Sequence, residues 1–136
     1  MGSEGSPMNR KRLTGLGLLL LGVLIACATT VPLPPAQPAR ELSSIVGKWV
    51  GFVTDARGRP YFDATLTINP DGTFEHSVPA LERSPSAGTV SVVDEKFVWT
   101  TTSRTGSFTL HEGDGKRVLT SVGEGVTSTG RYEPAK

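Results

Sequence analysis

Few residues in this chain are equipped to do chemistry, and they lie far apart. There is one cysteine, Cys27, and there are two histidines, His76 and His111. A single thiol cannot close an internal disulfide, and no Cys/His cluster has the spacing of a zinc site. His111, Glu112 and Asp114 bring metal-ligand types together, but EGDGK is ordinary hairpin-turn chemistry and no metal is expected there. Hydroxyls are plentiful, as in Thr100-Thr101-Thr102-Ser103, yet no motif places a base or an oxyanion hole beside them. Neither an enzyme nor a cofactor is expected. His76 falls in phase with Phe74, which makes it a candidate polar group inside a binding site; a core-edge or solvated histidine is the plainer reading.

Charge narrows the partners. The 136 residues carry a formal net charge of +1. Arg10, Lys11, Arg12 and Glu4 precede Cys27, so the remainder holds eleven basic against twelve acidic residues. A near-neutral domain without clustered Lys and Arg has no means of neutralising phosphates, which excludes nucleic acid as the expected partner.

Cys27 draws its meaning from its setting. Asn9-Arg10-Lys11-Arg12 is basic, and Leu13 to Ala26 is apolar apart from Thr14 and three glycines. Basic residues, an apolar run and small residues at its end form a secretory signal pattern. The run of 14 residues falls short of the roughly 20 that span hydrocarbon. It reads as residues 1–26 of a cleaved signal. Met1-Gly2 with Ser6 also fits the loose myristoylation pattern, but a basic-apolar signal directly behind it is better explained by translation starting at Met8.

Leu24-Ile25-Ala26-Cys27 resembles the lipobox of bacterial lipoproteins. The resemblance implies that the Cys27 thiol carries a diacylglycerol unit, that the signal is cut before it, and that the new terminus receives a further acyl chain. Each buried methylene contributes about 0.8 kcal/mol, and stable anchoring takes two chains. Ala28 stands where the family's inner-membrane retention signal is usually Asp. This implies a lipid-anchored protein of the bacterial cell envelope, on the outer membrane facing the periplasm. The following ATTVPLPPAQPAR is rich in proline, so residues 27–43 are expected to form an extended tether without packing of their own. At about 3.1 Å per residue it would reach roughly 45 Å from the bilayer.

From Ser44 onward, short β-branched and aromatic runs alternate with turn signals. The pattern predicts eight strands near 46–54, 62–69, 73–78, 88–93, 96–102, 106–111, 116–121 and 127–133. Asn69-Pro70-Asp71-Gly72 supplies turn residues, and Asp94-Glu95 leaves room only for a two-residue antiparallel hairpin. Phe62, Ala64, Leu66 and Ile68 share one face of their strand, and Phe97 and Trp99 share one face of theirs. Trp49 and Phe52 fall on opposite faces unless the strand bends at Gly51. An all-β, eight-stranded antiparallel up-and-down meander over residues 44–134 is expected, closed into a barrel that removes both edges.

Gly47-Lys48-Trp49 opens the first strand as the G-x-W motif opens lipocalins and related calycin barrels, and the DATLTINPDGTFEHS and GTVSVVDEKFVWTTTSRTGSFTLHEGDGKRVLTS runs resemble small bacterial lipocalin-like domains. The resemblance covers roughly residues 44–134 and implies a late arginine, here Arg131, over the Trp49 ring at the closed end. The domain is short for this family, and eight short strands favour an interior filled by side chains over a roomy cavity.

Two functions are open at this point. One is a monomeric, non-catalytic, lipid-anchored module binding a small apolar ligand or a partner at one barrel end. The other is a packed-barrel structural or adaptor lipoprotein that meets another envelope protein. The longest connection, PALERSPSAG, carries Leu81, which makes it a candidate lid over the barrel mouth.

Overall fold

The computed structural model describes residues 32–55, 57–81, 85–125 and 129–136. Cys27 and the whole signal segment lie outside the described residues, as do the middle of PALERSPSAG and the tip of the final hairpin. The strands are β1 (Ala36–Gln37), β2 (Gly47–Thr54), β3 (Pro60–Ile68), β4 (Thr73–Ser77), β5 (Ser86–Val93), β6 (Lys96–Thr101), β7 (Thr105–Gly113), β8 (Lys116–Gly123) and β9 (Thr129–Pro134). Short 3-10 turns span Leu42–Ile45 and Pro79–Leu81.

The strands β2 to β9 form the expected closed antiparallel barrel of eight strands. Each of β2 to β8 pairs with the strand that follows it, and β9 returns to β2 with Trp49 to Thr54 opposite Pro134 to Thr129. Turn chemistry sets the registers. Asp94 and Glu95 both adopt left-handed backbone (φ 49° and 60°), and so do Asp114 and Gly115 (φ 51° and 74°), as two-residue hairpins with the right-handed strand twist require. At the Asn69 turn, Asn69 N–H donates to Thr73 O at 2.8 Å, and Thr73 N–H donates to Asp71 Oδ1 at 2.9 Å.

These three turns and the 3-10 turn Leu42–Ile45 gather at one end. Ile45 there is wholly buried, and its carbonyl accepts the Trp49 indole N–H at 2.9 Å. Gly47, at φ +133°, turns the chain from this plug into β2, a conformation that L side chains rarely adopt. Around the plug pack Trp49, Leu66, Ile68, Val90, Phe97, Leu110 and Leu119. Leu119 faces the interior opposite Leu110, and Val118 lies on the other face of β8 opposite His111.

The proline segment is where the structure departs most from expectation. Beyond its register with β6, β7 continues through Leu110 and His111, and this free edge is taken by β1, with Ala36 opposite His111 and Gln37 opposite Leu110. Ala39 is buried, and its N–H donates to Glu95 O at 2.9 Å. His111 anchors the same segment. Its Nδ1 lies 3.0 Å from Pro34 O, which can only accept, so Nδ1–H is the donor there, and Nε2 makes a hydrogen bond with Thr120 Oγ1 at 3.1 Å. Residues 34–39 are therefore part of the fold, because an unpaired strand edge offers hydrogen bonds that even a proline-rich chain can use.

Candidate functional site

Inward side chains are larger toward the plugged end than toward the other. Along β5 they run Val90, Gly88, Ser86; along β7, Leu110, Phe108, Gly106; along β8, Leu119, Ser121, Gly123. At the same end β9 contributes Gly130 and β6 Thr101. Eight strands enclose an interior that side chains just fill when they are large. With Gly, Ser and Thr at the far positions they do not, and a cavity of about 360 Å³ opens at that end. The expectation of a filled barrel holds for one half only.

An aromatic floor separates the halves. Phe74 and Phe108 meet edge to face with centroids 5.7 Å apart and planes at 83°, and Trp99 joins them at 6.3 and 6.2 Å. The glycines hold this floor in place. Gly106 is the cross-strand partner of Trp99, and a Cβ on it would stand 2.2 Å from Trp99 Cζ2. Gly88 serves Phe74 in the same way, since a Cβ there would lie 2.9 Å from the ring.

The wall above the floor is polar. His76 projects inward from β4, as its phase with Phe74 implied, and its Nε2 makes a 2.9 Å hydrogen bond with Tyr132 Oη from β9. Burial holds the imidazole below its usual value, and pushes the Tyr132 hydroxyl well above its own, so both groups are neutral near pH 7. Ser86, Thr101, Ser103, Ser121 and Thr129 add hydroxyls, and Arg104 reaches the cavity from the β6–β7 turn. The Trp99 indole N–H is buried without a hydrogen-bond partner. Leaving such a donor unpaired costs about 1–3 kcal/mol.

Two expected roles fall elsewhere. Leu81 is 41% exposed and does not line the cavity; its 3-10 turn packs against β3 instead of over the mouth. Arg131 points away from Trp49. It lies on the outer face of β9, opposite Phe52, because Tyr132 and Gly130 occupy the inward phase. The cation over the Trp49 ring is Arg117 of β8, with its guanidinium carbon 5.5 Å from the ring centroid. Arg117 also donates to Ser44 O and, through Nε, to Glu112 Oε1 at 2.8 Å. Gly47 and Trp49 stand at the closed end as the G-x-W resemblance implied; the arginine comes from a different strand.

Gly88, Gly106, Tyr132 and Arg104 were not recognisable as cavity residues from alternation of apolar and polar types. The usable signal is the size of successive inward residues, which falls toward every second turn. A scan against protein-family models returned no match, and searches of curated proteins and of solved structures returned none either.

Proposed function

We propose that this chain is a lipid-anchored, non-catalytic envelope lipoprotein whose barrel takes up a small ligand through its open end. The anchor in this reading is acylated Cys27, and the site is the periplasmic face of the outer membrane. The observation that carries the binding function is the graded interior, with one half packed around Trp49 and the other left as a cavity of about 360 Å³ over an aromatic floor. That volume falls in the lower part of the range typical of small-molecule sites. Small residues on four separate strands are needed to keep this space open, at the expense of apolar surface that a small domain could otherwise bury.

The chain joins the barrel beside the plugged end, where Pro34 and Pro35 pack near Gly113.

The adaptor reading is supported by a cleft on the outer face, lined by Val50, Phe52, Asp63, Pro79 and Arg131. Native mass spectrometry of the full protein, extracted gently from membranes, separates the two. A recurrent small-molecule adduct lost on mild activation supports the carrier. A stoichiometric protein partner with no adduct overturns it in favour of the adaptor.

A further inference from the structure

The cavity wall is asymmetric in hydrogen-bonding character, and that asymmetry names a ligand class. Among the described residues, not one Asp or Glu lines the cavity. What faces it are donors. Arg104 is a permanent cation at the edge, and Ser and Thr hydroxyls can donate or accept. Among the described residues, the two salt bridges are Arg59–Asp55 and Arg117–Glu112, and Arg104 takes part in neither. With His76 held neutral by burial, the described wall carries one positive charge; Glu124 shares the neighbouring rim groove with Arg104 but forms no ion pair with it.

We propose that the ligand is a small amphiphilic anion, bound with its oxyanion against the Arg104 guanidinium and its apolar body on Phe74, Trp99 and Phe108. This rests on the carrier reading above and narrows it, since a neutral hydrocarbon would leave the hydroxyls and the His76–Tyr132 pair desolvated without new partners. A guanidinium matches a planar carboxylate with two parallel hydrogen bonds, and charge-assisted bonds are about twice as strong as neutral ones. The guanidinium sits at the mouth, where the anion keeps part of its hydration, so the ion pair does not bear the full cost of burying two charges.

The test uses two probes of nearly equal size, 1-naphthoate and 1-naphthalenemethanol, titrated calorimetrically into the protein. Naphthoate is expected to bind about tenfold more tightly at low salt, with the preference shrinking at high ionic strength. Arg104→Gln lies in an exposed turn and leaves the fold intact; it is expected to erase the preference while the alcohol keeps its affinity. Equal affinities in the unaltered protein, or a preference that survives Arg104→Gln, would overturn the anion assignment and leave the carrier reading standing. Binding of neither probe would overturn both.

Discussion

The hydroxyl of Tyr132 and Nε2 of His76 form a 2.9 Å hydrogen bond across the cavity, joining β9 to a strand 56 residues earlier in the chain. The pair sets a pH dependence with a definite sign. Burial lowers the His76 pKa, so the folded state resists protonation that the unfolded chain accepts near pH 6.5. Above that value both states are neutral and His76 contributes no slope. As the pH falls below it, the unfolded state gains a proton first and stability declines.

Melting temperature measured from pH 7.5 down to 5 should therefore fall in the unaltered protein and fall less in His76→Gln. The carboxylates act in a lower window. Asp55, held down chiefly by the Arg59 backbone N–H, and Asp71, held down chiefly by the Thr73 hydroxyl, begin to lose their contributions only near the ordinary carboxylate range. Parallel curves for the two proteins between pH 7.5 and 5 would show that His76 is not the titrating group.

Arg117, not Arg131, closes the barrel over Trp49, and substitution should separate them. Arg117→Met keeps an apolar stem over the ring but loses the cation and the bond to Ser44 O. A loss of about 1–2 kcal/mol in urea denaturation is expected. Arg131→Met, on the outer face, should stay within about 0.5 kcal/mol of the parent. The reverse ranking would restore the last-strand arginine to the closing role.

Eight strands, their order and their limits to within two residues could be read from the sequence because each is short, alternating and bounded by turn residues. Local signals specified them. What could not be read depended on contacts between distant residues. Ala36–Gln37 has no strand pattern of its own and forms one only because β7 outruns β6 and leaves hydrogen bonds open. The arginine over Trp49 depends on the shear of the barrel, which alternation along one strand does not encode. His76 was placed correctly because its phase with Phe74 is local; the partner Tyr132 is not. The cavity was missed because apolar alternation treats Gly106 and Leu110 as equivalent inward positions, and only their volumes tell the open half from the packed one.

The docked proline segment makes a chain beginning at Leu42 less stable than one beginning at Pro32. The shorter chain loses buried Ala39, the Ala39–Glu95 and Glu112–Pro35 backbone bonds, and the His111 contact to Pro34. It should remain an all-β barrel by circular dichroism while unfolding at lower urea, with a deficit of about 1–3 kcal/mol. Identical midpoints would show that residues 32–41 add nothing to the fold.

Cys27→Ser tests the anchor independently of the barrel. With the thiol gone there is no site for the acyl chains, and the protein should leave the membrane fraction and lose metabolic fatty-acid label. Its melting temperature in detergent should match the parent, since the barrel's packing lies between Pro34 and Pro134. A variant that stayed on membranes through a high-salt wash would end the lipoprotein reading.

Gly106 gives the sharpest test of how the cavity is built. A methyl group at this position would meet Trp99 Cζ2 at 2.2 Å and Val122 O at 2.3 Å, and neither can yield cheaply. The indole is braced by Phe74 and Phe108, and the carbonyl belongs to the β7–β8 ladder that closes the barrel. Gly106→Ala is therefore expected to cost about 1–3 kcal/mol, as overpacked sites do. It should also change the near-ultraviolet circular dichroism of Trp99 and weaken naphthoate binding through the displaced floor. Ser107→Ala, one residue away on the outer face, should change stability by no more than about 0.5 kcal/mol. If Gly106→Ala unfolded at the same urea concentration as the parent, Trp99 would have room to move, and the aromatic floor would not be a fixed surface for a ligand.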